Sequence, residues 1–74
     1  MAYIAIAPAN VNLTSEWLVE AFGGPATYIE SRYSYGYFGP SWRVFVVTEN
    51  RLYHGITGEF EKEEDAILFR LTWS

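Results

Sequence analysis

The sequence contains no cysteine, and histidine and aspartate occur once each, as His54 and Asp65. Disulfides, thiolate zinc sites and cysteine nucleophiles are therefore excluded. A nucleophile needs a neighbouring base and a third group that orients the base, and one histidine with one aspartate is a poor basis for such a set. One histidine also cannot build the usual transition-metal site, and no calcium-loop or phosphate-loop motif is present. We expect no enzymatic activity, no cofactor and no metal.

The sequence also lacks a long apolar run and a basic N-terminal segment. No run approaches the roughly 18 apolar residues that a membrane span needs. Residues 1–8 carry no basic side chain, unlike the first part of a secretory signal. A length of 74 residues suits one small domain. We expect a single domain over residues 1–74, located in the cytosol and without a membrane partner.

Apolar and aromatic residues, by contrast, are abundant. Half of the residues are apolar, and six tyrosines, five phenylalanines and three tryptophans make up 19% of the chain. This composition is too hydrophobic for a disordered segment. A single sheet covered by one helical layer is too small to bury all of these rings, so we expect several of them at the surface.

The first part of the chain predicts a strand and then a helix. Residues 3–7 alternate large and small apolar side chains, which is typical of a short strand. Residues 14–22 place their apolar side chains at helical spacing. Thr14 is the predicted N-cap of this helix, and Leu13 and Leu18 occupy the two positions of a hydrophobic staple.

The second part predicts antiparallel strands. Tyr28 and Ile29 open a strand that runs into the tyrosine-rich segment. Residues 42–47 are apolar on both faces, as in a central strand, and residues 52–57 form the returning strand of a hairpin.

The C-terminal part admits two interpretations. Residues 61–69 predict a helix, with Leu71 and Trp73 in a closing strand. A period of two over residues 67–73 would also fit one long strand, but acidic residues favour the helix. The fold class is then α+β: a small antiparallel sheet with two helices on one face. Its ferredoxin-like (split βαβ) order is β-α-β-β-(β)-α-β.

The negative charge is concentrated in one short segment, residues 59–65. Its acidic residues are Glu59, Glu61, Glu63, Glu64 and Asp65. Lys62 alone opposes them, whereas four glutamates and four arginines cancel elsewhere, so this segment carries the whole net charge of −4. Direct nucleic-acid binding is not expected from such a chain. The acids either meet a basic partner surface or simply stabilise a helix start.

The most informative segment lies between residues 33 and 42. It combines Tyr, Ser and Gly, which is the composition of recognition loops. An extended chain places the three tyrosines on one side. The aromatic candidates for partner binding are Tyr33, Tyr35, Tyr37, Phe38 and Trp42. Cross-strand packing within the sheet is the alternative use of these rings.

The C-terminal segment carries a resemblance to a known group of proteins. An aromatic residue precedes the Asp65-Ala66 helix start, and Phe-Arg-Leu-Thr-Trp follows at residues 69–73. This pattern, over about a fifth of the chain, resembles small orphan accessory proteins of tailed bacteriophages, among them anti-CRISPR-like host-takeover proteins. The resemblance implies a protein that blocks a host machine in the host cytosol, and it transfers no functional residues.

These observations predict a small acidic protein that binds a protein partner, such as a nucleic-acid-binding host complex. Its interface would combine the aromatic segment, residues 33–38 with Trp42, and the acidic segment, residues 59–65. One alternative is a self-associating structural protein that uses the aromatic face as a homodimer interface. A second alternative is a single-stranded nucleic-acid module, which is disfavoured because only Arg32 and Arg43 lie nearby to neutralise phosphates.

Overall fold

The computed structural model describes residues 3–48 and 55–74 and shows a five-stranded antiparallel sheet with two helices. The strands are β1 (Tyr3–Ala7), β2 (Thr27–Glu30), β3 (Ser34–Phe38), β4 (Trp42–Val47) and β5 (Ile56–Phe60). The helices are α1 (Val11–Phe22) and α2 (Glu63–Trp73). The predicted α+β class with an antiparallel sheet is confirmed.

The strands lie in the order β1-β5-β4-β3-β2, and every neighbouring pair is antiparallel. Strands β2 to β5 follow one another across the sheet, while β1 lies at one edge beside β5. Helix α1 therefore carries the chain from one edge of the sheet to the other. This strand order is not ferredoxin-like, so the predicted split βαβ arrangement is wrong.

Both helices pack on the same face of the sheet. Helix α1 contacts β3 and β4, and α2 contacts β1 and β5. The buried apolar residues between sheet and helices are Ala5, Ala7, Val11, Leu18, Trp42, Val44, Ile56, Phe60, Ala66 and Phe69. The Phe60 ring lies between the two helices, 5.9 Å from Phe22 and 5.3 Å from Phe69.

Helix α1 begins earlier than the sequence predicts, because Asn10 and not Thr14 is its N-cap. The Asn10 Oδ1 accepts hydrogen bonds from the amides of Asn12 (2.8 Å) and Leu13 (3.1 Å). Thr14 is buried inside the helix, and its hydroxyl donates to the carbonyl oxygens of Asn10 and Val11. Leu13 is exposed, so the predicted staple is wrong. The helix ends at the predicted place, where Gly23 has a φ of +99°.

Helix α2 continues to Trp73, so the predicted closing strand at Leu71 and Trp73 is wrong, as is the single long strand. Ala66, Phe69 and Trp73 are spaced i, i+3, i+7 and share the side of the helix that faces the core. The Trp17 ring of α1 lies 6.4 Å from Phe69 and 6.1 Å from Trp73. Four helical residues rise by about 6 Å, so one Trp17 ring can contact both Phe69 and Trp73. Four strand residues would place the two rings about 13 Å apart along the chain, too far for contacts this close.

The last strand also lies later than predicted. Strand β5 covers Ile56–Phe60, whereas the sequence pattern favoured residues 52–57. Leu52, Tyr53 and His54 lie outside the described residues.

Candidate functional site

One face of the sheet is the candidate site. In the described residues, both helices pack on the opposite face, and no element covers this one. Its side chains form two rows across the sheet. The first row is Thr27, Phe38, Arg43, Glu59 and Ile4. The second row is Ile29, Gly36, Phe45, Thr57 and Ile6. We call these ten residues the open face.

The open face exposes large apolar side chains from both edges of the sheet. Ile4 and Ile6 on β1 are 62% and 57% exposed, and Ile29 on β2 is 51% exposed. Phe38 on β3 is 38% exposed, and Phe45 on the central strand is half-buried. Several exposed apolar side chains on one uncovered sheet face are typical of an interaction surface.

The charges on the open face compensate each other. Arg43 and Glu59 face one another on β4 and β5, with Nη1 and Oε1 3.7 Å apart. The Arg43 guanidinium also lies 5.0 Å from the centroid of the Phe45 ring, within the range of a cation–π contact. An exposed ion pair contributes only about 0–1 kcal/mol to stability. Its main consequence here is that the centre of the open face carries no net charge.

A shallow depression of about 160 Å³ lies on the β2–β3–β4 side of the open face. Gly36 lies between Ile29 and Phe45 in the second row and contributes no side chain. A Cβ atom at residue 36 would overlap the carbonyl oxygen of Val44 and lie 2.6 Å from the Cα of Phe45. The depression therefore follows from the close approach of two backbones, which only glycine permits.

The predicted aromatic segment is divided between the two faces of the sheet. Tyr33 precedes β3 in a turn and is exposed, with the Arg32 guanidinium 5.4 Å from its ring centroid. Tyr35 and Tyr37 point to the helix-covered face and are half-buried, whereas Phe38 belongs to the open face. Because side chains alternate along a strand, these rings do not form one continuous platform.

Tyr37 is held in place by contacts on the helix-covered face. Its hydroxyl donates to Asn12 Oδ1 at 2.8 Å, and the Tyr28 ring packs edge-on at 5.4 Å. Partial desolvation of the Tyr28 hydroxyl, followed by the negative charge of Glu30, raises the pKa of Tyr28 above its ordinary value of 10.0. The Tyr28 hydroxyl is therefore protonated at neutral pH and donates to Oε2 of Glu30 at 3.3 Å.

Trp42 is fully buried, and its indole Nε1 donates to the carbonyl oxygen of Gly23 at 2.9 Å. The prediction that Trp42 contacts a partner is therefore wrong. Its ring packs in the core, because residue 42 faces the helices in the alternation of β4.

The acidic segment is likewise distributed over several positions. Glu59 is part of the open face, and Glu61 is exposed in the connection to α2. Glu63, Glu64 and Asp65 form the first turn of α2, where they complement the positive end of the helix dipole. On the open face the aromatic and acidic segments contribute Phe38 and Glu59, which lie in the same row on either side of Arg43.

The sequence prediction missed Ile4, Ile6 and Ile29. The alternation of large and small side chains in residues 3–7 predicts a strand, but it does not tell which side of that strand a helix covers. In the structure the small residues Ala5 and Ala7 face α2, and the two isoleucines face outward.

The described residues, 3–48 and 55–74, hold no group of three His, Cys, Asp or Glu side chains that would bind a metal ion. None of the helices described there is long and apolar enough to cross a membrane. No family model, no curated protein and no solved structure matches this chain. A functional proposal therefore has to rest on the geometry of the open face.

Proposed function

We propose that this protein acts by binding another protein through its open face, as an inhibitor or accessory factor of the phage type, and not by catalysis. The observation that supports this proposal is the exposure of Ile4, Ile6, Ile29 and Phe38 on one uncovered sheet face. The partner has an apolar surface bordered by basic residues.

Apolar contact supplies most of the affinity in this proposal. Each of the four side chains is roughly half exposed, and covering the exposed part of one contributes about 1 kcal/mol. The Arg43–Glu59 pair is already formed in the free protein, so it has little further to gain from binding. Because the two charges of the pair compensate each other, a partner can cover the centre of the face without burying an unpaired ion.

The acidic residues beyond the open face determine the approach of the partner. Glu61, Glu63 and Glu64 are exposed just past the end of β5, next to the row that holds Phe38 and Glu59. Negative charge at this border accelerates association with a basic surface and makes it sensitive to salt. A host surface that normally holds nucleic acid has the matching charge.

Two neighbouring residues of β2 provide a matched test of the open face. Ile29 and Tyr28 are both 51% exposed but point to opposite faces. We expect Ile29→Lys to weaken partner binding at least about tenfold, because it places a charge in an apolar interface, and Tyr28→Lys to leave it nearly unchanged. The measurement is quantitative capture from a bacterial lysate by each immobilised protein, followed by titration of the captured partner. Equal capture by all three proteins would contradict the proposal.

Charge reversal tests the role of the acidic border. Glu61→Lys combined with Glu64→Lys should lower the association rate about tenfold at low salt, with little change in the dissociation rate. The difference from wild type should shrink as salt is added, because the Debye length falls. An unchanged association rate at low salt would mean that these acids only stabilise the start of α2.

A further inference from the structure

Among the described residues, strand β1 is an outer strand of the sheet. The described part of the chain places no strand beyond it. Its five residues include no charge and no proline, although natural proteins commonly place such residues on edge strands to prevent pairing with other chains. The opposite edge strand, β2, carries Glu30. The edge at β1 is therefore better suited than the edge at β2 to pair with another strand.

We propose that two copies of this chain pair antiparallel through β1 and form one continuous ten-stranded sheet. This proposal does not depend on the proposed function. The sequence of β1 is self-complementary about Ala5. A two-fold axis through Ala5 pairs Ile4 with Ile6 of the second copy on the open face, and pairs of β-branched residues stabilise neighbouring strands. On the other face the large Tyr3 lies opposite the small Ala7 of the second copy.

The position of α2 fits the same two-fold axis. Helix α2 lies over β1 and β5, so its axis is about one strand spacing, about 4.8 Å, from the two-fold axis. The two copies of α2 are then about 10 Å apart, which is the distance between packed helices. Eleven helical residues and five strand residues both span about 17 Å. Because Tyr3 pairs with Phe60, α2 begins at the Tyr3 end of β1, and an axis through Ala5 passes α2 near its middle, beside Ile67 and Leu68.

The side chains of α2 that face this axis are complementary in an antiparallel pair. Trp17 of α1 contacts Phe69 and Trp73, so the opposite flank of α2 faces the β1 edge. Helical spacing places Glu63, Ile67 and Arg70 on that flank. In the antiparallel pair, Arg70 of each copy lies within one turn of Glu63 of the other, and the two exposed Ile67 side chains meet at the axis. A parallel pair would bring like charges together.

The net charge of −4 does not oppose this dimer. Tyr3 pairs with Phe60, so the acidic segment, residues 59–65, lies at the Tyr3 end of β1. Antiparallel pairing places the two acidic segments at opposite ends of the interface, about 17 Å apart. That separation exceeds the Debye length of about 8 Å at physiological salt. The dimer also joins the two open faces into one surface that offers two equivalent binding sites.

Solution mass measured by sedimentation equilibrium between about 10 µM and 1 mM tests the dimer. We expect wild type to dimerise and Ile4→Lys to weaken dimerisation at least about tenfold, because two lysines then enter the apolar centre. Ile29→Lys is the matched control at the other edge strand and should leave the dimer intact. A monomeric wild type at 1 mM, or a dimer dissociated by Ile29→Lys and not by Ile4→Lys, would overturn the proposal.

A charge exchange tests the antiparallel geometry even if Ile4→Lys fails to fold. Arg70→Glu and Glu63→Arg should each weaken self-association about five- to thirtyfold. In the dimer of either variant, two pairs of like charges face each other across the interface. An equimolar mixture of the two variants should recover association, since opposite charges face each other in the mixed dimer. Far-UV circular dichroism establishes that both variants are folded. If the mixture associates no better than either variant alone, the proposal is wrong.

If the wild type stays monomeric but the Ile29→Lys variant no longer captures the partner, the dimer is excluded and the proposed function stands. If the wild type dimerises through β1 and capture of every partner protein is independent of Ile29, the dimer stands and the proposed function is excluded.

Discussion

At the residue scale, two glycines determine the shape of the chain for different reasons. Gly36 lies in the middle of β3, where the backbone of β4 approaches so closely that no side chain fits. Gly23 has open space around it but adopts a φ of +99°, which L-residues rarely adopt. The first glycine is required by tertiary packing and the second by the local backbone conformation that ends α1.

Alanine substitution separates these two requirements. Gly36→Ala should lower the free energy of unfolding by about 3 kcal/mol, because the new Cβ meets backbone atoms that cannot move aside. Gly23→Ala should cost about 1–2 kcal/mol, since the residue has open space but a backbone conformation, φ +99° and ψ +154°, that favours glycine. Chemical denaturation of both variants beside wild type measures the difference. Equal losses would mean that the β3–β4 backbones can separate to admit a methyl group.

At the scale of elements, the two helices begin in different ways. Helix α1 has a side-chain cap from Asn10 and no acidic residue in its first turn. Helix α2 has no side-chain cap hydrogen bond and instead has Glu63, Glu64 and Asp65 in its first turn. The first helix depends on specific hydrogen bonds, and the second depends on favourable charge near the helix dipole, which salt screens.

The N-cap of α1 can be tested with a conservative pair of substitutions. Asn10→Ala should destabilise the protein by about 1 kcal/mol, because the amides of Asn12 and Leu13 lose their acceptor. Asn10→Ser should remain within a few tenths of a kcal/mol of wild type, since serine is also a good N-cap. Thermal and urea unfolding measure both values. An Asn10→Ala protein as stable as wild type would contradict this assignment of the cap.

At the scale of the whole molecule, the sheet has one packed face and one free face. Phe60 on β5 points into the packed face and touches rings from both helices. Phe45 on β4 points to the open face and is half-buried. Substitution of these two phenylalanines therefore measures separately how much each face of the sheet contributes to stability.

Truncation of each ring measures how unequal the two faces are. Phe60→Ala should cost about 3–5 kcal/mol and leave little stable protein, because it opens a cavity between both helices and the sheet. Phe45→Ala should cost about 1 kcal/mol, since its ring is only partly removed from water. Denaturant midpoints at equal protein concentration provide the comparison. A loss for Phe45→Ala as large as that for Phe60→Ala would show that something covers the open face.

The sequence by itself determined the features that depend on neighbouring residues. The alternation of residues 3–7 predicted β1 with its observed bounds, and Gly23 predicted the end of α1. The concentration of charge in residues 59–65 also follows from the sequence alone. Capping was harder, because Asn10 and Thr14 are both good N-cap residues and only the observed hydrogen bonds distinguish them.

Only the tertiary structure decided which face of each strand is covered. Alternation with a period of two defines two faces of a strand but does not tell which face a helix covers. From the sequence, Trp42 and Phe38 are therefore equally good candidates for the surface. In the structure Trp42 is buried on the helix-covered face and Phe38 is exposed on the open face. Likewise, residues 67–73 fit two periods, and the contacts of Phe69 and Trp73 with Trp17 select the helix. In the described residues, the open face exists because both helices pack on the other face of the sheet. The edge at β1 has a different cause, because the five strands form an open sheet whose outer strands are β1 and β2.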